Sequence, residues 1–77
     1  MEGKLFTLVN AENEAQVFAW GMEISTTQDR EAIVYRRNPA TNQTFFGVHA
    51  TAESALRRYG KRRQLRLLWE NRYDEAD

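Results

Sequence analysis

Residues 11–25, AENEAQVFAWGMEIS, fit two different periodicities, and the fold of the whole chain depends on which one the backbone follows. At a period of two, four large apolar side chains fall on one face of a strand: Phe18, Trp20, Met22 and Ile24. As a helix capped by Asn10, the segment would instead form an apolar stripe made of Ala15, Phe18, Ala19 and Met22. Gly21 would then lie inside the helix, where glycine costs about 1 kcal/mol relative to alanine. The alternation and the glycine favour a strand with Phe18, Trp20 and Met22 on its core side.

The other apolar runs are short and rich in β-branched and aromatic residues, which is typical of strands. They cover residues 5–9, 32–35, 44–48 and 65–69. Between the second and the third of these runs, Asn38-Pro39 has the residue preferences of a type I turn. The two runs on either side of this turn are therefore predicted to form a β-hairpin.

Residues 51–60 carry the start and stop signals of a short helix. Thr51 is a predicted N-cap, and Glu53 lies in the first turn, where the helix dipole favours an anion. Arg57 and Arg58 lie in the last turn, where the dipole favours cations. Gly60 is placed for a left-handed residue just after the helix. The apolar side chains between these signals share one face, which is predicted to pack on the sheet.

In chain order, these elements predict an α+β domain of order ββββαβ: an antiparallel sheet of about five strands, largely a β-meander, with one helix packed on a face. If residues 11–25 were helical, the order would be βαββαβ, the ferredoxin-like pattern. The strings WGMEI, AIVYRR, FFGVHATAESA, RYG and LRLLW resemble small bacterial and phage domains in which a β-meander leads into one helix and a final strand. This resemblance implies a strand at residues 17–24, and it implies no activity.

The length of 77 residues, without a linker or an internal repeat, predicts one small domain over residues 1–77, with a frayed acidic tail at 71–77. The chain has no cysteine and one histidine, so disulfides and thiolate ligands are excluded and neither a metal site nor a cofactor is expected. The first ten residues have neither a long apolar run nor a basic flank, and no stretch approaches the ~20 apolar residues of a membrane span. A cytoplasmic protein without membrane contact is expected.

Catalytic chemistry has few candidate residues in this chain. His49 is the only imidazole, and no cysteine is present for it to activate, so a structural or surface role at the end of a strand is predicted. Two pairs of carboxylates have the spacing of one strand face: Glu12 with Glu14, and Asp29 with Glu31. Each pair lies in a predicted loop or strand edge, where charge normally faces water. The chain is therefore not expected to be an enzyme.

The segment RRYGKRRQLR, residues 57–66, carries six positive charges and no negative one in a chain whose formal net charge is zero. Arginines at this density suit forked recognition of carboxylates or phosphates, and a tyrosine among them could stack on an unpaired base. The candidate binding residues are Arg57, Arg58, Tyr59, Lys61, Arg62, Arg63 and Arg66. The alternative is structural: the charges complement the helix C-terminus and protect an edge strand from aggregation.

The charge distribution bears on the choice of partner. Residues 1–35 have six acids and two bases, a net charge of −4, so the remainder carries +4. Weak long-range attraction to a polyanion and a dipolar surface together favour a protein partner. We therefore expect a small non-enzymatic interaction or regulatory module, monomeric or homodimeric, that binds a protein through its arginine-rich helix end and turn. The alternative is an RNA- or DNA-binding accessory protein that uses the same residues.

Overall fold

The computed structural model describes residues 2–70, which form five strands and one helix. The elements are β1 (Glu2–Asn10), β2 (Asn13–Ser25), β3 (Arg30–Arg37), β4 (Thr44–His49), α1 (Ala52–Tyr59) and β5 (Leu65–Trp69). The predicted α+β order ββββαβ is confirmed, and the alternative in which residues 11–25 form a helix is excluded. The predicted frayed tail, residues 71–77, lies outside the described residues.

The five strands form one open antiparallel sheet of order β4-β3-β2-β1-β5. The first four strands are a meander in which each strand pairs with the next along the chain. In the β3–β4 turn, the Asn38 side chain accepts a hydrogen bond from the Ala40 amide at 2.9 Å, and Asn42 adopts a positive φ of 61°. After the helix, β5 returns to the outer side of β1, so the N-terminal strand ends up inside the sheet and β4 and β5 form its edges.

The helix begins where the sequence predicts, and two acceptors satisfy its first amides. Thr51 forms a capping box with Ser54, because each residue's side chain accepts a hydrogen bond from the other's backbone amide at 3.0 Å. From β2, the Glu23 carboxylate accepts a hydrogen bond from the Ala52 amide at 3.2 Å. This bond ties the start of the helix to the middle of the sheet.

The prediction of a left-handed conformation at Gly60 is wrong. Its φ is −84° and its ψ is 0°, which any residue can adopt. The need for glycine is steric instead, because a Cβ at this position would lie 2.7 Å from the Leu56 carbonyl oxygen. The Gly60 amide donates to that same carbonyl at 2.8 Å, so the chain leaves the helix by a close approach to its last turn.

The core lies between the helix and one face of the sheet. Its fully buried residues are Phe6, Leu8, Ala19, Ala32, Val34, Ala52 and Ala55. Val9 is buried too, but it lies outside this cluster. Four of the seven are alanines, two on the helix and two on the sheet beneath it. Small side chains on both surfaces let the helix backbone approach the sheet closely, since no large side chain separates the two layers.

The predicted assignment of β2 side chains to the core is wrong for Trp20 and Met22. Ala19 is fully buried beneath the helix, whereas Trp20 is 49% exposed and Met22 is 39% exposed on the opposite face. Phe18 does not follow this alternation, because the β1–β2 register shifts beside it. Leu8 of β1 pairs with Ala19, but Val9 pairs with Val17, so the register passes over Phe18. This β-bulge places Phe18 on the helix side, half-buried against the core.

Candidate functional site

The basic residues of segment 57–66 divide among three elements. Arg57 and Arg58 lie in the last turn of α1, Lys61 to Arg63 form the following turn, and Arg66 lies in β5. A helix end, a tight turn and an edge strand therefore place six cations around one end of the helix. Their side chains point to different sides of that end, so they do not form a single surface.

Five basic side chains border one groove of about 460 Å³ on the helix side of the sheet. We call it the arginine groove, and its cations are Arg36, Arg58, Lys61, Arg62 and Arg63. Three aromatic rings line the same groove: Phe18, Phe45 and Tyr59. Of these eight residues, three come from the sheet and five from the helix end and the turn that follows it.

Two guanidinium groups stack on one ring in the arginine groove. The Cζ of Arg36 lies 4.0 Å from the Phe18 ring centroid, and that of Arg63 lies 4.9 Å from it. Arg36 also donates a hydrogen bond from Nη1 to the Phe18 carbonyl at 2.8 Å. Cation–π contacts of this kind fix the plane of a guanidinium while leaving its outer N–H groups available. The β-bulge that turns Phe18 toward the helix is thus what orients both arginines.

The cations of the arginine groove have no carboxylate partner within residues 2–70. Arg66, which lies outside this groove, forms an ion pair with Glu14 at 2.7 Å, on the surface beside β5. About half of each side chain in this pair is exposed, so it contributes about 0.2–1 kcal/mol. Arg57 borders a different hollow, of about 430 Å³, with Leu56 and Gly60. Of the seven candidate residues, Arg57 and Arg66 therefore lie outside the arginine groove.

Tyr59 forms part of the groove's floor. It is half-buried, and its ring centroid lies 5.8 Å from that of Phe18 and 6.2 Å from that of Phe45. Its hydroxyl is 3.0 Å from Nε2 of His49. A Cβ on Gly47 would come within 2.5 Å of that hydroxyl, so the glycine provides the space that Tyr59 occupies. Tyr59 thus supports the groove from beneath with a ring already packed on three neighbours.

His49 ends β4 and contacts the helix edge-on through Tyr59. Desolvation by burial, followed by the positive charge of Arg58, holds the pKa of the His49 imidazole below its ordinary value of 6.5. The neutral imidazole and the Tyr59 hydroxyl form a hydrogen bond, and the tautomer of the imidazole determines which of the two donates. These contacts agree with the predicted structural role at the end of a strand.

We expect the free energy of unfolding to fall as the pH drops below about 6.5, because the unfolded chain then binds the His49 proton more readily than the folded chain does. Urea denaturation at about pH 7.5 and 5.5 measures this, with His49→Gln as the control because its amide can form the same hydrogen bond without titrating. The variant should lose less stability than the wild type over this interval. Equal losses in the two proteins would contradict the assignment to His49.

Three residues of the arginine groove were absent from the sequence-based site: Arg36, Phe18 and Phe45. Arg36 and Phe45 are direct partners in the β3–β4 register, and they meet segment 57–66 only because the helix crosses this end of the sheet. The signal that could have found them is the Arg36-Arg37 pair at the end of a predicted hairpin strand. Placing that pair beside the helix end requires the strand order, which the sequence pattern does not contain.

A second groove, of about 640 Å³, adjoins the first and shares Phe18, Arg36 and Arg63 with it. It continues around the end of the sheet to Trp20 and Tyr35, beside Arg37 and Pro39. The two grooves together pass from the helix side to the opposite face. The carboxylates singled out from the sequence take no part in either one.

Two further properties bear on chemistry. No group of three or more His, Asp or Glu side chains within residues 2–70 is arranged to hold a metal ion. No helix in the same part of the chain has the length and apolar character needed to cross a membrane.

No protein-family model, curated protein or solved structure matches the chain. Function is therefore inferred from the grooves and faces themselves.

Proposed function

We propose that this chain is a small non-enzymatic interaction module whose arginine groove binds an acidic segment of a protein partner. The observation that carries the proposal is the cluster of five cations around one groove, without a carboxylate partner among residues 2–70 and with two guanidiniums stacked on Phe18. Like charges gathered in this way repel one another, and this repulsion offsets part of what the stacking on Phe18 contributes to folding. An anion that enters the groove removes the repulsion.

The stacking of Arg36 and Arg63 gives the groove the properties of a binding hot spot. An arginine whose plane is already fixed loses less side-chain entropy when it binds, so more of the interaction energy appears as affinity. A guanidinium presents paired N–H groups that match both oxygens of a carboxylate. Arginine and aromatic residues are also the types that dominate binding energy at protein interfaces.

The dimensions and charge of the molecule favour a protein partner over a nucleic acid. A groove of about 460 Å³ accommodates a few side chains, and its aromatic lining suits an acidic residue flanked by an apolar one. The formal net charge is zero, which gives weak long-range attraction to a polyanion. A local positive patch on a neutral molecule is better suited to steering one complementary protein surface into place.

The second groove supports one other candidate function, binding of single-stranded nucleic acid. It places the exposed ring of Trp20 and the ring of Tyr35 next to Arg36, Arg37 and Arg63. Aromatic rings on which bases stack, beside arginines that contact phosphates, are what single-strand binding proteins use. If these residues bind a nucleic acid, its affinity should fall steeply as the salt concentration rises.

The test is charge reversal in the arginine groove. We expect Arg62→Glu combined with Arg63→Glu to weaken binding of a labelled peptide of alternating glutamate and phenylalanine by at least about tenfold, because two forked contacts become repulsive. Lys4→Glu combined with Arg30→Glu is the matched control: it changes the net charge equally, at positions outside the groove. The control should bind as the wild type does. Fluorescence anisotropy measures both variants.

The same titration with labelled single-stranded RNA and duplex DNA separates the two candidates. If about four phosphates were neutralised, affinity would fall roughly 50-fold between 50 and 200 mM salt on a single strand and roughly 100-fold on duplex DNA. Such a loss, abolished by the groove variant, would replace the protein partner with a nucleic acid. Equal peptide binding by the groove variant and its control would contradict the arginine groove as the binding site.

A further inference from the structure

The face of the sheet opposite the helix is covered by nothing within residues 2–70, and its side chains form two rows across the strands. The register places one row through Phe46, Tyr35, Trp20, Thr7 and Leu68. The next row contains Val48, Ile33, Met22 and Leu5. Eight of these nine residues are apolar or aromatic, and none is charged. We call this surface the open face.

Much of the open face is accessible to solvent. Phe46 is 71% exposed, Val48 65%, Trp20 49%, Leu5 43% and Met22 39%. Single exposed apolar residues are ordinary on protein surfaces, but a contiguous apolar patch rimmed by polar residues marks an interaction site. Depletion of charge is the compositional signature of an interface core.

The fully buried part of the core contains few large side chains. Four of the seven fully buried residues of the core cluster are alanines, and its larger members Phe18, Leu56, Tyr59, Leu67 and Trp69 are only half-buried. The open face carries a tryptophan, a tyrosine and a phenylalanine as well, with no layer over them among residues 2–70. Sheets with two apolar faces bury both of them, and here the helix covers only one.

We propose that the open face is the interface of a symmetric homodimer in which a second copy of this chain supplies the missing layer. Five strands spaced about 4.8 Å apart and about six residues of 3.4 Å each give a face of about 24 by 20 Å. Stacking two such faces buries on the order of 1,000 Å² in total, which reaches the lower limit for specific protein interfaces. A second copy matches the patch in size, whereas a short peptide would leave most of it uncovered.

The charges that bound the open face select one orientation of the two copies. On β3, Glu31 and Arg37 lie three residues on either side of Val34, at opposite ends of the face. A two-fold axis that crosses the strands at Val34 brings Arg37 of each copy over Glu31 of the other. The same axis places the row that contains Trp20 over the partner's row that contains Met22. A two-fold axis that runs along β3 would instead place Arg37 over Arg37 and Glu31 over Glu31.

The first experiment measures the oligomeric state of the full chain by sedimentation velocity from about 1 to 300 µM, since an interface at the lower limit of size is expected to have a dissociation constant in the micromolar range. We expect a reversible dimer. Met22→Glu changes the centre of the open face and Phe46→Glu changes its most exposed side chain. Each should weaken the dimer at least about tenfold, because a buried unpaired carboxylate is costly.

Phe45→Glu is the matched control. Phe45 is 43% exposed, as Leu5 on the open face is, but its ring contacts Tyr59 on the helix side. It should leave the dimer intact. Far-ultraviolet circular dichroism checks that every variant is folded, and Phe46→Glu replaces a side chain with few contacts to lose. A wild-type monomer over the whole concentration range would overturn the proposal. Dimers that survive both open-face variants would overturn it as well.

Charge exchange tests the orientation. Glu31→Arg and Arg37→Glu should each weaken the dimer, since each places like charges opposite one another, and the double variant should restore the affinity of the wild type. An additive loss in the double variant would overturn this two-fold axis. Both positions are exposed in the single chain. Because Arg37 also donates a hydrogen bond to Oδ1 of Asn42 at 3.1 Å, circular dichroism checks that each variant is folded.

Discussion

Replacement of Phe6 by alanine is expected to lower the free energy of unfolding by about 3–5 kcal/mol, the largest effect of any single truncation in this chain. Phe6 is 1% exposed, lies on an inner strand, and contacts Trp69 edge-on at a centroid distance of 5.6 Å. A chain of this length has a total stability of about 4–12 kcal/mol. Phe6→Ala should therefore leave a large fraction of molecules unfolded at room temperature.

Urea denaturation followed by circular dichroism measures this loss, with all proteins at one concentration because dimerisation would add a concentration-dependent term. Phe6→Leu is the graded control, because leucine fills part of the cavity and should cost well under half as much. Similar losses for leucine and alanine would contradict a mechanism based on cavity volume. They would indicate instead that the edge-on contact with Trp69 is what stabilises the sheet.

Gly21→Ala is expected to destabilise the fold by about 1–3 kcal/mol, although it adds only one methyl group. A Cβ at this position would overlap Cζ of Phe6 and lie 2.7 Å from its Cε1. The Ile33 carbonyl oxygen, on the neighbouring strand, would be 2.8 Å away. These overlaps are removed only if the buried Phe6 ring or the β3 backbone moves, and either movement breaks existing contacts.

Gly3→Ala is the matched control for Gly21→Ala, because both glycines lie in strands. At Gly3 the nearest atom to a new Cβ would be Sδ of Met22 at 3.2 Å, on a flexible side chain. This variant should be close to the wild type in stability, or slightly more stable because alanine restricts the unfolded chain. Thermal unfolding of the two variants side by side measures the difference. A greater loss at Gly3 than at Gly21 would contradict the steric argument.

The element order was predictable from local signals, because periodicity and capping residues act over a few positions. Strand ends were less predictable. β2 runs from Asn13 to Ser25, well beyond the apolar alternation at residues 17–24, because hydrogen bonds to β1 and β3 continue through its polar ends. Hydrogen bonds across a sheet do not require apolar side chains, so the pattern of apolar residues understates the length of a strand.

The face of β2 that the helix covers was not predictable from alternation alone. A period of two shows which side chains share a face, and size suggests that the face with Trp20 and Met22 should be buried. The helix instead packs over Ala19, because only small side chains allow two backbones to approach closely. The bulge at Phe18 then interrupts the alternation. The preference of a helix for a surface of alanines is a pairwise property, and one strand read by itself does not display it.

The candidate site was predictable in part. The basic segment 57–66 is continuous in sequence, and five of its seven candidate residues line the arginine groove: Arg58, Tyr59, Lys61, Arg62 and Arg63. Arg36 and its stacking partner Phe18 depend on strand register and on the bulge. Their distances from Arg63 along the chain are 27 and 45 residues, which is beyond the range of any local pattern.

The arginine groove and the open face lie on opposite sides of the sheet, so the two proposals are physically independent. In the proposed dimer, the helices and the arginine grooves would face outward on both sides of a four-layer assembly. A partner with two acidic segments could then occupy both grooves. Simultaneous binding raises apparent affinity through effective concentration, provided that the connecting chain can span the dimer.

The position of β5 beside β1 has a consequence for the chain while it is being made. Residues 6–10 are synthesised early, but the strand that pairs with their outer side begins at Leu65. At about 5–20 residues per second, the ribosome needs roughly 3–11 s to add the intervening 54 residues. During those seconds β1, which contains Leu8 and Val9, has an unprotected edge. The nascent chain is therefore most prone to mispairing before its last strand emerges, and any translational pause between α1 and β5 would prolong that exposure.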